Sequence, residues 1–152
     1  MLYLLVKWVH VLAAIVGLGT NLTYSVWFAR ATPPSASLLF TLRTVKLLDD
    51  RMANPAYILS LITGLAMVFM GEWSLTTPWI LLSLVLYVLV VLVGLLVYTP
   101  TLRRQIELAE RGDPASGEYA AVARRGQLLG IVIGILVVAI VFLMVTKPAL
   151  WG

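Results

Sequence analysis

The sequence predicts an all-α protein, a four-helix transmembrane bundle with a short interfacial helix after the first span. Three observations predict it. Hydrophobic residues make up 61% of the chain and charged residues 12%, against roughly 45–50% and 25% in soluble domains. Four apolar runs, at about residues 2–28, 54–71, 79–99 and 126–147, approach or exceed the roughly 20 helical residues that cover a ~30 Å hydrocarbon core. The basic residues sit in alternate connections, as membrane orientation requires. No linker divides the 152 residues, so the expectation is a single integral membrane domain.

The first span, Leu2–Phe28, carries the only histidine of the chain. On a helix, His10, Ala14, Gly17, Asn21 and Tyr24 recur at spacings of three and four and share one face, while Leu, Val and Ile cover the rest. An ionisable group inside a span is costly and turns to a bundle interior. The only early charge, Lys7, lies within the apolar run, which fits a retained span better than a cleaved leader.

In Ala29–Arg51, Pro33-Pro34 stops the helix. Ser35 can cap a short amphipathic helix with Leu38, Leu42 and Val45 on one side and Arg43 and Lys46 on another, expected on the membrane surface. Asn54-Pro55 reads as an N-cap and a proline at the first helical position. The second span then runs to Met70 with Ser60, Gly64 and Met67 in one stripe, and Gly71 is placed to end it. The tight connection Glu72–Pro78 makes the second and third spans expected antiparallel neighbours, with Trp73 and Trp79 at one interface.

The third span, Trp79–Tyr98, departs from a lipid-like character only at Ser83, Tyr87 and Gly94. Pro100 interrupts it, and Thr101–Gly112 reads as a charged helical extension. Asp113–Gly117 breaks that extension, and a last helix starts near Glu118 and enters the bilayer after Arg124-Arg125. In it Gly126, Gly130 and Gly134 share one face. Two readings apply: ordinary packing within the bundle, or a close contact with a cofactor or with a second copy in a homodimer. Trp151 reads as an interfacial anchor.

A net charge of +4 raises nucleic acid as a partner, but the basic residues flank apolar spans, so the expected partner is the lipid bilayer and no nucleic acid. Of the eleven Lys and Arg, all but Lys7 and Lys147 lie in residues 29–51 and 101–125. Those loops are expected in the cytoplasm and both termini outside, in a protein integral to the cytoplasmic (inner) membrane. The absence of cysteine excludes disulfides, thiolate metal sites, iron–sulfur clusters and covalently attached c-type haem.

His10 is the candidate metal ligand. At comparable depth the expected arrangement brings Met67 or Met70, Ser83 or Tyr87, and Met144. Haem b needs an axial imidazole and accepts methionine as a second ligand, and Lys7 is placed to meet a propionate. The candidate cofactor-binding set is therefore His10, Lys7, Met67, Gly17 and Tyr87. The competing reading is a cofactor-free scaffold or partner subunit in which His10 makes a hydrogen bond in the core. No phosphate-binding glycine loop or metalloprotease pattern is present, and Glu107, Glu110, Asp113 and Glu118 read as a solvated surface. No catalytic residue stands out.

Lys7-Trp8-Val9-His10, followed by Ala13-Ala14 and Gly17-Leu18-Gly19, resembles the first helix of the four-helix membrane-bound haem-dependent protoporphyrinogen oxidases, and also that of copper-resistance D-type proteins. Asn54-Pro55-Ala56 leading to Thr63-Gly64-Leu65 is similar to their second helix, and Thr146-Lys147-Pro148 to their lysine–proline ending. A family of small predicted integral membrane proteins of unknown function, built on the same plan, is closer still. The resemblance implies haem b bound through His10 with Lys7 contributing, and a redox or haem-handling role with a tetrapyrrole or electron-transfer partner. An oxidoreductase is implied only in outline. The third span has no lysine or histidine where the oxidases carry them, and Ala121-Val122-Ala123-Arg124-Arg125 stands in place of their Asn-Glu-Val-Pro-like segment.

Overall fold

A computed structural model gives the fold, and it describes residues 1–31 and 37–149. Pro33-Pro34, Ser35 and Trp151 lie outside the described residues. The elements in order are α1 (Leu2–Arg30), α2 (Leu38–Leu48), α3 (Asn54–Met70), α4 (Pro78–Val93), α5 (Thr99–Glu110) and α6 (Gly117–Thr146). Among the described residues four continuous helical stretches, Leu2–Arg30, Leu38–Met70, Pro78–Glu110 and Gly117–Thr146, are long and apolar enough to cross a membrane. Large apolar side chains such as Leu4, Ile15, Phe69, Leu96 and Phe142 stand exposed along them, a surface that suits acyl chains and not water.

Two of these stretches are longer than the sequence suggests, and proline explains how. A proline in a helix lacks an N–H and its ring clashes with the carbonyl four residues back. Here each proline is preceded by a single π turn, Asp49–Ala53 before Pro55 and Gly94–Tyr98 before Pro100. The last donors before the prolines reach back five residues, Asn54 N–H to the Asp49 carbonyl and Thr99 N–H to the Gly94 carbonyl. This widening accommodates the ring without breaking the helix. Asn54 has helical dihedrals (φ −62°, ψ −47°) and so is not a cap. Pro100 does not interrupt its helix.

The short amphipathic helix after the first span is α2, and its backbone runs on into α3. Its apolar face is not left for lipid: Leu42 and Val45 are fully buried, in a cluster with Leu38, Leu102, Leu108 and Tyr119. Exposed ion pairs, Arg43 with Glu110 (2.9 Å) and Arg104 with Glu118 (2.6 Å), tie α2, α5 and α6 at this end. Exposed pairs of this kind are screened by solvent and add little, so the apolar cluster dominates. We call this the basic end.

Turn chemistry fixes the other connections. Gly112 (φ +77°) closes α5, its N–H bonding Ala109 O and the next N–H bonding Leu108 O, a Schellman closure. Ser116 Oγ caps α6 by accepting from Tyr119 N–H at 3.1 Å. At the far end Glu72 (φ +55°) takes the left-handed position expected of Gly71. Gly71 serves the Trp73 ring instead, since a Cβ there would lie 2.6 Å from Trp73 Cδ1. Trp73 and Trp79 pack edge-to-face at 5.6 Å, and Lys147 Nζ stands 5.3 Å from both ring centres. This cation–π contact fastens the end of α6 to the α3–α4 turn.

The helices associate as two pairs, α1 with α3 and α4 with α6. The second and third spans are antiparallel but not neighbours, because no Cα of α3 comes within 8 Å of one in α4. Two tyrosines stand between them and Tyr87 OH bridges to the Tyr57 carbonyl at 2.7 Å. The fold thus leaves space between the pairs.

Candidate functional site

The polar face of α1 is turned inward, onto α3, in an antiparallel register. His10 Nδ1 lies 2.9 Å from the Ser60 carbonyl and 3.2 Å from Thr63 Oγ1. A carbonyl only accepts, so Nδ1 carries the proton in this bond and Nε2 is left with its lone pair. The ring is half-buried and sits against Gly64, where a Cβ would meet His10 Cε1 at 3.1 Å. Gly17, two turns on, meets Tyr57 in the same manner, with a 3.0 Å approach to Cε1. Asn21 Nδ2 donates to Tyr57 OH, which also reaches Gly17 O at 3.3 Å. Further along, Tyr24 OH donates to Asp49 Oδ1 at 3.4 Å.

Between the helix pairs lies a cavity of about 800 Å³. Ile58, Val90, Val91, Leu95, Ile131 and Ile133 give it apolar walls toward the middle of the bundle. Tyr24, Asp49, Asn54, Tyr98, Gln105 and Tyr119 line it toward the basic end, while Asn21, Tyr57 and Tyr87 line it nearer the middle. Asp49 is 8% exposed and Gln105 7%. Gln105 Nε2 donates to Tyr119 OH at 3.0 Å, and Asn54 Nδ2 approaches Asp49 Oδ2 at 3.5 Å.

The residues expected to bind a cofactor are not gathered in this cavity. Among His10, Lys7, Met67, Gly17 and Tyr87, only Tyr87 lines it, and its hydroxyl is committed to the Tyr57 carbonyl. His10 precedes the first lining residue of α1, Asn21, by eleven positions, about 16 Å of helix. Lys7 is exposed and Met67 half-buried. Among the described residues no group of three or more His, Asp or Glu could hold a metal ion. A haem on His10 would therefore lie on the α1–α3 seam, outside the large cavity.

Asp49, Tyr57, Tyr98, Gln105 and Tyr119 were not singled out by sequence. A signal existed: the stripe Met67, Gly64, Ser60 continues backward at helical spacing through Tyr57 and Ala53 to Asp49, in register with the polar face of α1. The glycines of α6 divide. A Cβ on Gly126 would touch Gln105 and Thr101 at 3.7 Å, whereas at Gly130 and Gly134 nothing lies within 4 Å. Packing inside the bundle thus accounts for the first of the three and leaves the other two open.

Compared with known families, residues 4–148 match the model of one described as a predicted integral membrane protein (DUF2269). No curated protein and no solved structure matches the chain.

Proposed function

Because this chain belongs to the DUF2269 family of predicted integral membrane proteins, we propose that it binds an amphiphilic small molecule within the bilayer, between its two helix pairs. The cavity carries the reading. Its volume of about 800 Å³ falls in the range of about 300–1,000 Å³ typical of small-molecule sites, and its lining joins apolar walls to polar groups at one end. The basic end faces the cytoplasm, because loops rich in Lys and Arg stay there.

The test is to fill the space. Gly130 lines the cavity and a Cβ there meets open space, so Gly130→Phe introduces a bulky side chain with no clash at its Cβ, and circular dichroism checks that the variant folds. Binding of a long-chain alcohol to protein in nanodiscs, measured by equilibrium dialysis with empty discs subtracted, should weaken by about tenfold, a change of 1.4 kcal/mol. Unchanged binding in a folded Gly130→Phe variant would reject the cavity as the site.

A second reading, b-type haem bound to His10 in a redox or haem-handling role, is favoured by one observation. The Nδ1–H bond to Ser60 O fixes the tautomer that presents Nε2 as a ligand, the arrangement seen around metal-bound imidazoles. On this reading the purified protein shows a Soret band that His10→Ala weakens or removes. A spectrum identical in the two proteins would eliminate His10 as an axial ligand.

A further inference from the structure

We infer that the ligand of this cavity carries a protonated amine, with Asp49 as its counter-ion. This deepens the amphiphile reading above and depends on it. Asp49 lines the cavity and is more than nine-tenths buried. A buried carboxylate is normally retained only where a cation or a full set of donors meets it. Here the two donors are neutral and distant: Tyr24 OH at 3.4 Å and Asn54 Nδ2 at 3.5 Å, the long limit of hydrogen bonding.

Among the described residues Asp49 makes no ion pair. Lys46, a turn earlier on the same helical stretch, attracts Asp49 only through space, since its ammonium is bonded to Asp50 and makes no contact with the Asp49 carboxylate. Arg124 is the other charged residue of the lining; it is exposed and forms no pair with Asp49. The remaining titratable groups facing the cavity are tyrosines, Tyr24 from α1, Tyr57 from α3, Tyr87 and Tyr98 from the α4 stretch and Tyr119 from α6.

Ionised carboxylate oxygens offer about four acceptor sites and an ammonium offers up to three donors, so an amine supplies both the missing charge and the missing short hydrogen bonds. Tyrosine rings around the same space add attraction for a cation through their π faces. An anionic head would be repelled by Asp49, and a neutral head would leave it uncompensated. The apolar walls formed by Val90, Val91, Ile131 and Ile133 then receive the hydrocarbon part. The ligand class is a membrane-soluble amine.

The experiment compares three probes with one hydrocarbon body and different heads, a primary ammonium, a hydroxyl and a carboxylate, on protein in nanodiscs of zwitterionic lipid with empty discs subtracted. Wild type is expected to bind the ammonium probe about tenfold more tightly than the alcohol. Asp49→Asn should abolish that preference while still binding the alcohol, and Asp49→Glu should restore it. Helicity by circular dichroism confirms that each variant is folded. If wild type binds ammonium and alcohol equally, prefers the carboxylate, or keeps its preference in Asp49→Asn, the amine inference falls and the cavity reading stands. If none of the three binds above empty discs, the cavity reading falls and the inference falls with it. Should Asp49→Asn fail to fold, equal binding of ammonium and alcohol by wild type still overturns the inference.

Discussion

Replacing Gly17 by leucine should destabilise the protein by about 2 kcal/mol. Overpacking a closed contact typically costs about 1–3 kcal/mol, and removing a helical glycine returns up to about 1 kcal/mol. Packing wins at Gly17 because the opposing group cannot retreat. A Cβ would stand 3.0 and 3.2 Å from two atoms of the Tyr57 ring. That ring is held at its hydroxyl by Asn21 and the Gly17 carbonyl, and its backbone carbonyl accepts from Tyr87. The substitution therefore has to part α1 from α3. Gly19→Leu is the control, since a Cβ there meets nothing within 4 Å, and it should be neutral or slightly stabilising. Far-UV helicity followed against SDS mole fraction separates the two, and equal midpoints would refute the tight seam.

Leu42→Ala should cost about 2–5 kcal/mol, the usual range for a buried leucine whose cavity does not collapse. Leu42 is 0% exposed and sits in the cluster that joins α2 to α5 and the start of α6. Of the flanking ion pairs only Arg43–Glu110 reaches α2, and it is exposed and too weak to hold the helix alone. Phe40, two residues away and 68% exposed, should tolerate alanine within about 0.5 kcal/mol. In hydrogen exchange, Leu42→Ala should lower protection in α2 and α5 before α4. A uniform loss across all helices would show instead that the basic end has no stability of its own.

The α1 face was readable because a helix repeats every 3.6 residues, so His10, Gly17, Asn21 and Tyr24 declare a common side before any partner is known. What they meet was readable only in part. Ser60 and Gly64 stand out as a stripe, but Asp49 reads as part of a loop because hydropathy falls where charges begin, while the helix itself continues. Its continuation depends on a π turn ahead of Pro55, and proline alone reads as a stop. The same applies at Pro100. The gap between α3 and α4 was not legible at all: a short connection fixes how close two helix ends lie, not how far their bodies diverge around Tyr57 and Tyr87. His10 faces α3 at Ser60 and Thr63, and only three-dimensional register shows that the cavity begins well beyond it.

The most direct measurement is photolabelling with a long-chain alcohol bearing a diazirine, in nanodiscs, followed by peptide mapping. The account predicts saturable labelling at Val90, Val91 and Ile133, which line the cavity and are at least partly covered, displaced by unlabelled alcohol and reduced in Gly130→Phe. Non-saturable labelling confined to outward residues such as Leu96, Phe142 and Val145, with none in the cavity lining, would contradict it.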